Sequence, residues 1–252
     1  MSFLPSVEPR TSSGASTAPA SPPDAGRGLM AHLFALTFVT GVIDAASFLG
    51  MGRTFTANMT GNVIFLGFAL AGAPGISVTR CALAVAGFVT GAALAGRVAA
   101  GIPGASRASR MVRAGLVEAT LFGLACLLAA GQRGALPVAG GRLAAVIVLP
   151  AFAMGVRNAT VRALAIPDMT TTVLTMTITG LAADAAASAA GAANPRWPRR
   201  VGSVATMTAG AAFGVLLLRR GLWCPLAFSA VAGAASTMAL RSQGHASKGE
   251  SR

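Results

Sequence analysis

Residues 41–62 read GVIDAASFLGMGRTFTANMTGN, and the interpretation of the whole chain depends on this stretch. It begins within an apolar segment, residues 29–51, whose second half contains the acidic residue Asp44. After a glycine-rich break comes a polar cluster, residues 58–62, and a second apolar run follows at once. Carboxylates and amides are costly inside hydrocarbon and usually face a protein interior or a water-filled cavity. We therefore expect the functional site to lie here.

The composition is that of a membrane protein. Hydrophobic residues make up 54% of the chain and charged residues 11%, whereas soluble domains carry about 25% charged residues. We predict an all-α polytopic membrane helix bundle that resides in the lipid bilayer. The net charge of +13 does not indicate nucleic-acid binding, because the basic residues stand mainly in short links between apolar runs. Such links carry the signals for membrane orientation.

Eight apolar segments are separated by Arg and Gly-Pro links, and most have roughly the 20 residues that cross a membrane. Their predicted spans are 29–51, 55–73, 77–100, 111–131, 143–164, 169–191, 200–218 and 221–240. The polar residues outside them, 1–28 and 241–252, are predicted to be disordered tails.

The second and sixth segments, 55–73 and 169–191, have only about half a span of clean apolar sequence. Such segments are typical of broken or re-entrant helices, which must line a cavity or be buried in protein. If both are re-entrant, most of the Lys and Arg residues fall on the same side as the termini. If all eight segments span, the basic residues are divided almost evenly. The positive-inside tendency favours six spans with both termini in the cytoplasm, and eight spans remain the alternative.

The two halves of the chain resemble each other. Residues 41–45 (GVIDA) match 155–159 (GVRNA), and residues 91–93 (GAA) match 210–212 (GAA) in the same order and at a similar offset. We interpret this as a duplication, with one repeat over 29–131 and the other over 142–240. Three spans and one re-entrant element in each half make the repeats inverted, which is a recurrent plan of transporters.

Several of these motifs resemble the YoaK family of bacterial membrane proteins. The first signature comprises residues 41–49 and the NMTGN of residues 58–62; the second comprises AMGVRNATVR at 153–162 and TTTVLT at 170–175. The resemblance covers roughly residues 29–240. It implies a multi-pass protein of the cytoplasmic membrane with about six or more spans, and it supplies no activity, ligand or catalytic residue.

The chain departs from the family pattern at two positions. The family usually has Gln where Arg157 stands, and Gly often follows the threonine where Met176 follows Thr175. If the amide helps to bind a ligand in the family, then this chain has a different ligand, or Arg157 faces solvent.

The candidate pathway for a solute or ion consists of polar residues from both repeats, expected to meet near the middle of the membrane. They are Asp44, Asn58, Thr60, Asn62, Asn158, Thr171, Thr172 and Thr175. The other interpretation is that these residues only form hydrogen bonds between helices and fix the fold.

The possible charge partners in the membrane segments are Arg157, Arg162 and Glu118. One interpretation is an internal ion pair between Asp44 and either Arg157 or Arg162, because pairing offsets the cost of burying either charge. The alternative for Arg162 is a position in the inner headgroup layer. Glu118 is interpreted as an interfacial residue, with a role in the pathway as the alternative. His32, at the start of the first segment, is interpreted as an interfacial residue without a role.

The sequence predicts no catalytic, metal or cofactor site. Cys81, Cys126 and Cys224 are isolated and lack the spacing of a metal site or a disulfide framework, and enzyme motifs are absent. We expect a transporter or channel for a small polar solute or ion in the bacterial cytoplasmic membrane. The alternative is a membrane protein with a structural or regulatory role. The sequence does not indicate an oligomeric state.

Overall fold

In a computed structural model, the described part of the chain is all-helical. The structure describes residues 27–102, 104, 106–131, 140–164, 174–189 and 197–249. Its helices are α1 (Arg27–Gly50), α2 (Met59–Leu70), α3 (Val78–Gly101), α4 (Arg107–Ala129), α5 (Gly141–Ala163), α6 (Leu174–Ala189), α7 (Trp197–Leu218) and α8 (Trp223–Gly249).

Six of the described helices, α1, α3, α4, α5, α7 and α8, are long and apolar enough to cross a membrane. Their apolar stretches contain 20 to 24 residues, which corresponds to roughly 30–36 Å at 1.5 Å per residue and matches the hydrocarbon thickness. Helix α2 has 12 residues and is only about 18 Å long, so it is too short to cross. Helix α6 has 16 residues. The predicted polytopic bundle is confirmed.

Local sequence explains where several helices begin and end. Asn58, Ser77 and Ser106 are the N-caps of α2, α3 and α4, and each side chain accepts a hydrogen bond from a backbone N–H three residues later. Residues 241–249, which the sequence assigns to the C-terminal tail, continue α8. Leu240 is buried and belongs to the last apolar turn of this helix.

Contacts along paired helices show their relative directions. Gly202 lies against Phe34 and Gly214 against Val42, so α1 and α7 are parallel. In the same way, α3 and α5 are parallel, since their contacts advance together along the two helices. Hydrogen bonds and ring contacts between α1 and α8 run in opposite order, as do those between α4 and α5. The pair α4 and α8 is also antiparallel.

These directions fix the topology of the bundle. Helices α1, α4 and α7 run one way and α3, α5 and α8 run the other, so residues 51–77 leave and rejoin the bundle at the same end. The chain between α5 and α7 does likewise at the opposite end. The first repeat therefore runs up, down, up and the second runs down, up, down. This is the predicted inverted arrangement of six spans, with the start of α1 and the end of α8 at one end.

Equivalent glycines mark the helix crossings in the two repeats. A Cβ atom on Gly41 would overlap the backbone of α7, and one on Gly155 would overlap the backbone of α3. Gly91 and Gly210 make the reciprocal contacts, against the carbonyl oxygens of Phe152 and Phe38. Small residues allow this close approach of helices in lipid. The contacts between α1 and α7 are thus repeated between α5 and α3, as a duplication requires.

Candidate functional site

A buried ion pair between Arg157 and Glu118 lies in the core of the bundle. Arg157 is on α5 and Glu118 is on α4, and each side chain is 1% exposed. The Nε and Nη2 atoms of Arg157 donate to the two carboxylate oxygens of Glu118. This bidentate geometry is the strongest form of an Arg–carboxylate pair. The interfacial interpretation of Glu118 and a solvent-facing Arg157 are both wrong.

The same guanidinium also binds the first helix. Its Nη1 atom donates to the carbonyl oxygen of Leu36 at 2.9 Å and to the hydroxyl of Thr40 at 2.8 Å. The Thr40 hydroxyl in turn donates to Leu36 O at 2.8 Å. Arg157 therefore links α1, α4 and α5, and its charge is neutralised by Glu118. The predicted ion pair between Asp44 and an arginine is wrong, because Glu118 takes the guanidinium and Arg162 is exposed at the end of α5.

Asp44 is held by the backbone of the re-entrant segment. It is 7% exposed, and its Oδ1 atom accepts a hydrogen bond from the N–H of Ala57 at 3.3 Å. Because Asp44 precedes the end of α1 by six residues, the segment folds back about 9 Å along that helix. A carboxylate thus stands inside the bundle without a directly bonded cation among the described side chains.

Asn62 is the centre of the re-entrant turn. It is fully buried, and its Oδ1 atom accepts from the Thr54 hydroxyl and from the N–H of Phe55. Its Nδ2 atom donates to Phe55 O at 2.6 Å and makes a longer contact with the sulfur of Met59. Both ends of the amide are therefore used within the turn. In this structure, Asn62 stabilises residues 54–62 rather than facing a cavity.

Asn58 and Thr60 are the exposed members of the first cluster. The Asn58 side chain accepts from the N–H of Gly61 and so caps α2. Three phenylalanines, Phe48, Phe55 and Phe65, stack beside this turn with ring centroids 5.2–5.9 Å apart. The aromatic stack packs the end of α1 against the re-entrant segment, and it leaves the cap side of α2 open.

The second signature contacts α1 through Arg157, whose side chain reaches Thr40, one turn before Asp44. Asn158 follows Arg157 on α5. The Asn158 amide is partly buried and donates to the carbonyl oxygen of Met154 at 2.7 Å. Thr175 is exposed on α6. Thr171 and Thr172 lie outside the described residues, so a cavity shared by all of these side chains stays a prediction.

The sequence interpretation missed the role of His32. This residue is 2% exposed, and its Nδ1 atom is 2.6 Å from the hydroxyl of Ser236 on α8. His32, Leu36, Thr40 and Asp44 recur every four residues and so follow one face of α1. That four-residue spacing was visible in the sequence and was the available signal for a buried His32. It predicts that the polar residues His32, Thr40 and Asp44 share one face of α1. The contacts of His32 with α8 and of Thr40 with α5 show that this face is buried.

Within the described residues, no group of three or more His, Cys, Asp or Glu side chains is placed to hold a metal ion. The chemistry of the arrangement is that of a buried carboxylate, a neutralised arginine and satisfied amides. Such groups suit the binding of a polar or charged species.

Comparisons with known proteins agree with this architecture. The sequence profile of a family described as "Protein of unknown function (DUF1275)" matches residues 32–239. A relative from Bacillus subtilis (strain 168), the "UPF0700 transmembrane protein YoaK", is 32% identical over 159 residues, which are 63% of this chain and 67% of the relative. No solved structure matches. The chain therefore belongs to the YoaK family of multi-pass transmembrane proteins.

Proposed function

We propose that this protein is a transporter or channel for a small polar solute or ion. The observation that carries the proposal is Asp44, a buried carboxylate in the span α1 whose described hydrogen-bond donor is a backbone N–H of a re-entrant segment. A charge of this kind is costly in the membrane and is found mainly along ion and proton pathways. Arg157 cannot neutralise it directly, because Glu118 already occupies the guanidinium. A cation or a proton is the natural counter-charge for Asp44.

The architecture supports the same function. Many transporters consist of inverted repeats with interrupted helices, and their binding sites lie between the repeats near the midplane. In this chain, the two short helices α2 and α6 occupy equivalent places in the inverted halves. Asp44 lies beside the first of the two interruptions. A site there is accessible from opposite sides when one half moves relative to the other.

A second candidate is a membrane protein with a structural or regulatory role, and Asn62 favours it. All of the polar atoms of Asn62 are used inside the turn, and Asn58 caps a helix. If Asp44 also serves only to hold the turn, the sequence NMTGN of residues 58–62 is a folding motif. The two candidates differ in whether replacing Asp44 changes transport or only stability.

Transport is tested with purified protein in liposomes loaded with a pH indicator or with an indicator for Na⁺ or K⁺. We expect an ion flux that Asp44→Asn abolishes while the variant still inserts and melts as a folded protein. Thr90→Ala, an exposed change on α3 outside the candidate pathway, serves as the control and should leave the flux unchanged. Failure of Asp44→Asn to fold, together with no flux in the unchanged protein, would support the structural role.

We also propose that the protein resides in the bacterial cytoplasmic membrane with both termini in the cytoplasm. The end of the bundle that holds the termini also carries Arg107, Arg110 and Arg113 at the start of α4, in agreement with the positive-inside tendency. In a variant without the native cysteines, a cysteine at Ala71 should react with an impermeant maleimide added to whole cells. A cysteine at Ser106 should not react, and the reverse labelling would contradict the orientation.

A further inference from the structure

An apolar cleft opens between α3, α4 and α5 near the end of the bundle that holds the termini. Its volume is about 180 Å³. The walls include Leu94 and Val98 of α3, Val117 of α4, and Phe152 of α5. From Phe152 to Ala163, the last residue of α5, eleven residues span about 16 Å. The cleft therefore extends from the membrane surface well into the hydrocarbon layer.

Two arginines border the cleft. Arg110 and Arg113 are three residues apart on α4 and lie on neighbouring positions of the helix surface. Neither forms an ion pair with a described residue, and the one hydrogen bond that the Arg113 side chain donates goes to Ser109 O at 3.4 Å. None of the lining residues is acidic. Arg110 and Arg113 thus form a positively charged rim at one end of the cleft, and the rest of the cleft is an apolar groove.

The level of the arginines matches that of lipid headgroups. Arg110 is three residues from the start of α4, which is about 5 Å along the helix, and Arg113 is one turn deeper. Guanidinium groups bind phosphate through paired hydrogen bonds. Basic pockets between membrane helices on the cytoplasmic side are suited to anionic lipid headgroups. A free phosphate ion would contact only the two arginines of the rim, and the apolar groove of about 16 Å would have no ligand.

We propose that the cleft between α3, α4 and α5 binds an anionic glycerophospholipid. Arg110 and Arg113 hold its phosphate, and one acyl chain lies along the groove lined by Leu94, Val98 and Phe152. The site is independent of transport at Asp44, because none of its lining residues belongs to α1 or to the re-entrant segment.

Two kinds of variant test the two halves of the site. Arg110→Gln/Arg113→Gln removes the charges. Gly96→Leu fills the groove, and it is compatible with folding because a Cβ at Gly96 would meet nothing within 4 Å. The matched controls are Arg219→Gln/Arg220→Gln at the other end of the bundle, and Gly123→Leu, which also points into open space.

The measurement is the retention of phosphatidylglycerol against phosphatidylcholine of the same acyl chains, by native mass spectrometry of detergent-purified protein. One basic side chain near an anionic lipid surface contributes about five-fold in binding, so the double arginine variant should lose about 30-fold in affinity for phosphatidylglycerol. Gly96→Leu should reduce the retention of phosphatidylglycerol, whereas both controls should bind like the unchanged protein.

Three outcomes would overturn the proposal. The first is equal retention of the two lipids by the unchanged protein. The second is undiminished phosphatidylglycerol binding by Gly96→Leu. This result would overturn the proposal even if the double arginine variant does not fold. The third is equal protection against thermal unfolding by inorganic phosphate and by phosphatidylglycerol, because the rim would then be a site for a free anion.

Discussion

The pair between Arg157 and Glu118 makes a quantitative prediction about stability. Replacing Glu118 by Gln keeps the shape of the side chain but leaves the Arg157 charge in the core, where it is 1% exposed. Breaking a buried pair by removing one partner costs about 3–5 kcal/mol. We expect Glu118→Gln to lower the free energy of unfolding by that amount. Arg157→Gln should have a similar cost, since Glu118 then lacks its partner and Thr40 loses a donor.

The double variant separates the interaction energy between Arg157 and Glu118 from the individual contributions of the two side chains to stability. With Gln at both positions, no charge is buried and the two amides are able to hydrogen-bond, so the net loss should be about 1–2 kcal/mol. The two single losses together then exceed the double loss by at least about 4 kcal/mol, which is the expected coupling energy of the double-mutant cycle. Arg162→Gln is the matched control, because this arginine lies on the same helix and is exposed. It should change stability by less than about 0.5 kcal/mol.

The assay is reversible unfolding in mixed detergent micelles with an increasing fraction of denaturing detergent, followed by circular dichroism. All four proteins in the cycle and the control are measured at one pH. A coupling energy below about 0.5 kcal/mol would refute the reasoning. It would mean that Arg157 is stabilised mainly by Leu36 O and Thr40, and that Glu118 contributes little.

Three further predictions concern the fold and the re-entrant turn. Gly41→Ala and Gly155→Ala should each destabilise the protein in the same unfolding assay, because the added Cβ overlaps a facing helix backbone, whereas Gly67→Ala has open space and should be neutral or stabilising. Asn62→Leu should expose residues 54–62 to proteolysis, because the turn loses the bonds to Thr54 and Phe55; protease resistance equal to that of Thr60→Ala would contradict this role. His32→Phe should destabilise less than Glu118→Gln, since the bond to Ser236 is lost without leaving a charge unpaired, and an equal loss would count against the special cost of the unpaired arginine.

The membrane bundle was predictable because it depends on the average hydrophobicity of long segments. The repeat was predictable because similar motifs recur at a similar spacing in both halves. Segments of about 20 apolar residues predict spans, and the weakness of residues 55–73 follows from their polar start. The glycines at 41, 91, 155 and 210 were visible as matching motifs, and the structure shows that they permit close helix crossings. Close contacts between helix backbones can be recognised in a sequence, because only very small side chains fit at the crossing point.

The pairing of charges was not predictable in the same way. Asp44, Glu118 and Arg157 were recognised as candidates, but sequence spacing does not say which carboxylate faces the arginine on another helix. That depends on the rotation of α1, α4 and α5 about their own axes, which is set by packing. Asn58 and Asn62 show a related limit, since the same amide serves as a ligand in one context and caps or crosslinks a turn in another.

The two repeats share their backbone contacts and differ in their charges, which indicates where the functional asymmetry lies. The glycines that permit helix crossing occur in both halves, because each crossing has the same steric requirement. At the positions of Asp44 and its neighbour Ile43, the second repeat has Asn158 and Arg157. The arginine of the second repeat is neutralised by Glu118 of the first, so of the three charged groups Asp44, Glu118 and Arg157 it is Asp44 that lacks a directly bonded counter-charge among the described residues. In the proposed cation site, the first repeat would contribute a carboxylate and the second an amide, so that a bound cation would be held mainly by the first repeat.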